Sequence, residues 1–202
     1  AIVTQIRHVV FCAPDEIRAR FLGLSPITLV RTTAALKPRR SDPDIVRYTT
    51  LSTLRELGRR ALFVREQKMR LNAEMRPLIR EVAPSLLEIR GVGFDVAAKL
   101  LIAAGANPHR IRSEAAWAHL CGVAPIPASS GKVQRHRLNR GGNRQANSAL
   151  YRIVLTRMSN DERTKAYVAR RTAEGKTIGE IARILKRYVA REVYPHLPAT
   201  MT

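Results

Sequence analysis

Residues 54–82 read LRELGRRALFVREQKMRLNAEMRPLIREV, and the placing of their apolar side chains decides the fold class. Leu54, Leu57, Ala61, Val64, Leu71, Met75, Leu78 and Val82 follow one another along one seam at helical intervals, with Lys68 as its polar step. Three-and-four spacing stacks side chains on one face of an α-helix, whereas a strand needs alternation at every second residue. Arg55, Glu56, Arg59, Arg60, Arg65, Glu66, Arg70, Glu74 and Arg76 flank the seam, so the opposite face is solvated and mostly basic. The pattern predicts one long helix. It pairs as a coiled coil with another copy or domain, or packs as one member of a bundle, and Pro77 is a position where it can kink.

Toward the N-terminus, prolines fall where a first helical turn tolerates them, because the missing N–H would be unpaired there in any case. Pro14 with Asp15 and Glu16 opens one helix, Ser25-Pro26 the next, running to about Leu36, and Asp42-Pro43 the long one, after the basic link Lys37-Pro38-Arg39-Arg40. Residues 1–7 already carry an amphipathic helical pattern with Arg7 inside it and no signal peptide, so the expectation is a fragment that starts partway along a helix. Strand periodicity is weak throughout, and aromatic residues make up only 5% of the chain. The fold expected is all-α, with at most a short hairpin between Val123 and Leu138.

Lys and Arg outnumber Asp and Glu by 36 to 16 in 202 residues, a formal charge of +20. A balance this one-sided points to a polyanionic partner, most commonly nucleic acid. No apolar run approaches the roughly 18 residues of a membrane span, so no membrane partner is expected. Cys12 and Cys121 lack any metal-ligand spacing and are expected as buried thiols in a reducing cytoplasm. His8, His109, His119, His136 and His196 are dispersed, and no metal site is expected in this chain.

Pro84 marks a change of texture, and the domains expected are residues 1–83, helical and coiled-coil-like, and 84–202. Residues 86–105 read as two short helices around Gly91-Val92-Gly93, in the manner of a helix-hairpin-helix. In that motif the glycines let the backbone approach a phosphate and the second helix aims its first N–H groups at the anion; a plain turn between core helices reads the same way. Ser113 is placed to cap a helix from Glu114 to Leu120, with Trp117 expected in the core, and Gly122 to end it. Asn143 begins a further helix, and two more follow at about 163–174 and 177–193. The last has Ile178, Ile181, Leu185, Tyr188 and Val189 on one face and Arg183, Lys186, Arg187 and Arg191 on the other.

The chemistry is expected in the loop at about 123–144. No Asp or Glu occurs between Glu114 and Asp161, while Lys132, Arg135, Arg137, Arg140, Arg144, Arg152 and Arg157 all fall in that interval. Such a field holds phosphates, and Ser129-Ser130-Gly131 puts hydroxyls beside it on a loop. A solvated charge run and a flexible Ser-Ser-Gly loop would look alike.

The ordered series Leu120-Cys121-Gly122-Val123-Ala124-Pro125, Ser130-Gly131, Asn139-Arg140-Gly141-Gly142-Asn143-Arg144 and Ala149-Leu150-Tyr151 resembles the C-terminal transposase domain of the bridge-RNA-guided insertion-sequence transposases. The resemblance extends upstream through Gly91 and Gly93, and downstream through Tyr167-Val168-Ala169-Arg170-Arg171 and Leu185-Lys186-Arg187-Tyr188. It implies DNA and a guide RNA as partners, and Ser130 as a nucleophile that forms a phosphoserine bond to DNA, with Ser129 the alternative. Gly91, Gly93, Lys132, Arg135, Arg137, Arg140 and Arg144 are then the nucleic-acid contacts, and His136 the base nearest in sequence. The family also carries a RuvC-like nuclease domain whose DEDD tetrad binds magnesium; that domain is expected outside this chain and would complete a composite site. Association of copies is expected through the long helix. Two other readings suit the same charge: a non-catalytic nucleic-acid-binding module, such as a transposon remnant, and a structural RNA-binding protein.

Overall fold

The computed structural model describes residues 2–105, 111–127, 136–137, 139 and 141–198. Among them the chain is mostly helical with almost no strand, the class that the periodicity predicts. It divides into two compact units, Ala1–Ala73 and Glu74–Thr202.

The first unit contains α1 (Ile2–Cys12), α2 (Asp15–Phe21), α3 (Pro26–Ala34) and the first part of α4 (Ile45–Val82). Ser25 caps α3, its hydroxyl accepting from the Thr28 amide at 3.3 Å, with Pro26 in the first turn. The start of α4 lies later than Asp42-Pro43. The capping acid lies after Pro43: it is Asp44 whose carboxylate accepts from the Arg47 amide at 3.0 Å. Asp42 instead accepts from the Arg47 guanidinium at 2.7 Å. Ile6, Val10, Ile17, Phe21, Leu29 and Leu54 form the core of this unit. Cys12 is exposed, contrary to expectation, because it closes α1 on the face away from Ile6 and Val10.

The seam of α4 is covered only in part. Leu54 is buried and Leu57 and Ala61 pack against the first unit's core, but every residue from Phe63 through Leu71 is exposed. Val64 and Leu71 therefore stand in solvent. Within the second unit Met75 and Ile79 pack into the core while Leu78 and Val82 remain exposed. A straight helix drifts about 20° per heptad from a 3.5-residue repeat, and the covered face has moved from Leu78 to its neighbour Ile79.

The second unit adds α5 (Pro84–Glu88), α6 (Phe94–Ala104), α7 (Glu114–Leu120), α8 (Arg144–Asn160), α9 (Glu162–Ala173) and α10 (Ile178–Val193), with a final 3-10 turn at Tyr194–His196. Two-residue strands, β1 (Ile126–Pro127) and β2 (His136–Arg137), pair antiparallel, Ile126 opposite Arg137. Helix α8 packs against α6, α9 and α10, and α7 packs against α10. Leu86, Leu100, Trp117, Leu150, Ile153 and Val193 are buried in one core, and each such side chain contributes roughly 1.5–3 kcal/mol by leaving water. Trp117 is a core residue. Cys121 is buried beside it, and burial pushes its thiol up to about 12.

Candidate nucleic-acid interface

The two ends of the basic loop are fastened at one point. Helix α7 stops because Gly122 adopts a left-handed backbone, φ 64°, and the Val123 and Ala124 amides turn back onto the Ala118 carbonyl at 2.9 and 3.1 Å. Gly142, φ 90°, brings the chain back against the same turn, where the Asn143 amide donates to the Leu120 carbonyl at 2.6 Å. Asn143 then caps α8, its side-chain oxygen accepting from the Gln145 and Ala146 amides at 2.9 and 3.0 Å.

Asn147, one turn into α8, ties this junction to α10. Its Nδ2 donates to the Cys121 carbonyl at 2.9 Å and to the Gly122 carbonyl at 3.3 Å, while its Oδ1 accepts from Lys186 Nζ at 2.9 Å. Two clefts lie on either side of Lys186. One, of about 300 Å³, is lined by Gly122–Pro125, Asn139, Arg183 and Tyr188 among others. The second, of about 480 Å³, is lined by Asn139, Gly142, Arg144, Ser148 and Tyr151, and Lys186 borders both. The Tyr151 ring centroid is 6.0 Å from Lys186 Nζ. Burial, and after it the charge of Arg183, pulls the Lys186 ammonium below the usual lysine range.

Long-range pairing sorts the cations. Arg187 forks onto the Glu114 carboxylate, and this hydrogen bond holds Glu114 below its usual range, with Arg191 adding to the effect. Arg157 forks onto Glu192 at 2.7 and 2.9 Å and donates through Nε to the Arg90 carbonyl at 2.8 Å. It is thereby neutralised, although the acid-free interval counts it among the free cations. Arg144, Arg183 and Lys186 form no ion pair with a described residue.

Ser129, Ser130, Lys132, Arg135 and Arg140 lie outside the described residues. Arg137 is described only as the strand residue opposite Ile126. Arg144 is the exposed first residue of α8 and lines the second cleft. Gly91 and Gly93 lie in the turn between α5 and α6. Gly91 has φ 89°, and a Cβ there would come within 3.3 Å of both the Ile153 side chain and its carbonyl, so this turn packs tightly on α8. Gly93 precedes α6 with open space around it. The Arg76 and Arg80 guanidiniums sit 5.3 and 5.0 Å over the ring of Phe94 at the head of that helix. The turn and the loop thus meet the same helix at different levels, Ile153 standing roughly 13 Å along the axis from Arg144. Lys186, Asn147 and Tyr151 join the site although the sequence does not single them out as contacts. The basic face of α10 is visible in the sequence; which of its members stay unpaired is not.

Residues 83–169 match the model of the family described as Transposase IS116/IS110/IS902 family. That span runs from the start of α5 into α9 and contains both glycine turns and the whole basic loop. The chain is also similar to the insertion element IS110 uncharacterized 43.6 kDa protein of Streptomyces coelicolor (strain ATCC BAA-471 / A3(2) / M145), at 33% identity over 117 residues. The aligned stretch is 56% of this chain and 29% of that protein's length. No helix among the described residues is long and apolar enough to cross a membrane.

Proposed function

We propose that this chain is the DNA-handling, serine-bearing part of an insertion-sequence transposase of the IS110 kind, acting in the cytoplasm. The observation that carries this reading is that the transposase match, residues 83–169, encloses the basic loop whose ends are fastened at Gly122 and Gly142. Ser130, with Ser129 as the alternative, is the nucleophile of this proposal. Its hydroxyl oxygen forms a new bond to phosphorus, the displaced strand oxygen leaves with a proton, and the phosphoserine keeps the diester energy for rejoining. Lys132, Arg135, Arg137, Arg140 and Arg144 hold the scissile and adjacent phosphates, and the turn at Gly91 and Gly93 works as a helix-hairpin-helix that grips the backbone further along.

The serine lacks a carboxylate near it in sequence to take its proton, and the RuvC-like domain completes the site. Magnesium is that domain's cofactor in this reading; the described residues here include no group of three His, Cys, Asp or Glu that could hold it. A guide RNA selects the target. Copies associate through α4, a role supported by the exposure of Val64, Leu71 and Leu78.

The test joins the chain to its nuclease domain and supplies guide RNA, magnesium and donor DNA. The expected product is a covalent protein–DNA adduct that peptide mass spectrometry maps to Ser130. Ser130→Ala should abolish the adduct and keep DNA binding, since one hydroxyl contributes little beside several arginines. Attachment at Ser129 would move the nucleophile by one residue. An adduct formed undiminished by both serine variants would place the nucleophile on another residue, and DNA binding with no adduct in the wild type would leave a nucleic-acid-binding module.

A further inference from the structure

We propose that Lys186 is a phosphate contact of a nucleic-acid strand lying in the groove between α10 and the first turn of α8, and that Asn147 is the residue that aims it. The proposal rests on the reading of this chain as a DNA-handling one and adds to it a contact outside the basic loop.

An ammonium has three donors. One of Lys186's is used on Asn147 Oδ1, and the group borders both clefts. A partly buried cation with no carboxylate partner costs free energy that an arriving anion recovers, and Lys186 forms no ion pair with a described residue. Its neighbour Arg187 differs in this respect, because Glu114 already occupies its fork.

The shape of the site decides between a small anion and a strand. Two open clefts meet at Asn139 and Lys186, with Arg183 along one and Arg144 along the other. A single phosphate would satisfy Lys186 and leave the outer arginines unmatched. A sugar-phosphate backbone crossing from one cleft to the other presents a phosphate to each, and the Tyr151 ring against Lys186 borders the path.

Asn147 fixes the direction of the contact. Two backbone carbonyls receive its Nδ2, so its Oδ1 is left facing α10 and Lys186. The same side chain that fastens the start of the basic loop therefore orients the cation, and loop and groove are set in one register.

The experiment uses the full 202-residue chain and a fluorescein-labelled duplex of arbitrary sequence, with affinity measured by anisotropy across a potassium chloride series. Lys186→Met should weaken binding roughly fivefold and reduce the slope of log K against log salt by about 0.9, the loss of one phosphate contact. Lys186→Arg should restore the slope, and Asn147→Leu should lower it with Lys186 still in place. A second measurement needs no variant: acetylation of the wild-type protein, read by mass spectrometry, should be blocked at Lys186 by duplex and not by inorganic phosphate, while Lys165 stays reactive. Steep wild-type binding with an unchanged slope in Lys186→Met and no protection of Lys186 would overturn this proposal and leave the DNA-handling reading standing. Protection by phosphate alone would replace the strand by a small-anion site. A wild-type chain that binds no duplex would end both.

Discussion

Gly122 and Gly142 pack backbone against backbone: a Cβ on Gly142 would lie 2.6 Å from the Gly122 amide nitrogen and 2.7 Å from the Leu120 carbonyl oxygen. A Cβ on Gly122 would in turn lie 2.5 Å from the Gly141 carbonyl oxygen. Both residues also have positive φ, which L side chains adopt at a cost. Gly122 of the segment 120–125 and Gly142 of the segment 139–144 thus have one shared physical reason, a junction where backbone meets backbone.

Gly142→Ala should lower the stability of the second unit by more than the roughly 1–2 kcal/mol of a left-handed backbone alone, because steric overlap adds to it. Gly23→Ala is the control: φ is 75°, and nothing lies within 4 Å of the added methyl. Calorimetric melting should show the larger loss for Gly142→Ala. Equal losses would mean that the junction yields easily.

Glu114 and Arg187 predict a pH dependence with a definite sign. The folded carboxyl titrates below its ordinary value of 4.5, so its stabilisation is complete above that value and is lost as pH falls through the folded pKa. Glu114→Gln should destabilise the unit by roughly 1–3 kcal/mol at neutral pH, since both partners are largely shielded from water. The gap between wild type and variant in urea melts should close as pH drops below about 4.5. A gap independent of pH would remove the ion pair from the account.

Arg157→Met should destabilise the fold by roughly 1–2 kcal/mol, because it removes the charge-assisted bonds that a guanidinium only 15% exposed makes to Glu192 and to the Arg90 carbonyl, while Glu192, 45% exposed, is left to water. Its effect on the salt slope of DNA binding should be negligible, as this charge is already matched. Urea melts and the anisotropy series used for Lys186 check both halves. A reduced slope would show that Arg157 exchanges Glu192 for a phosphate.

Replacing Leu71 and Leu78 by Lys should convert an associated species to monomer in light scattering and leave the circular dichroism helical. Both side chains are about 60% exposed, 64% and 60%, so the folded chain itself should change within about 0.5 kcal/mol. A monomer before and after the substitution would rule out association through α4.

The helices were legible because their signals are local. The long α4 follows from spacing, the start of α3 from Ser25-Pro26, the cap of α8 from Asn143, and the end of α7 from Gly122; each involves residues within a turn or so of one another. The start of α4 was misplaced at Asp42-Pro43 because Asp44, not Asp42, accepts from a first-turn amide, while Asp42 is engaged by the Arg47 guanidinium. The basic loop was legible as composition, an interval without acids.

By itself, then, the sequence determined the all-α class, most helix ends, and the excess of positive charge with its placement along the chain. Tertiary structure alone decided which of those charges remain available. Glu192 reaches Arg157 across 35 residues and Glu114 reaches Arg187 across 73, while Lys186 meets an amide, Asn147, across 39. It also decided that Ile79 is covered and Leu78 is not. The reason is common to all of these: helix formation is governed by contacts three and four residues apart, whereas ion pairing and burial depend on distances in space. Those distances exist only once α7, α8 and α10 have packed.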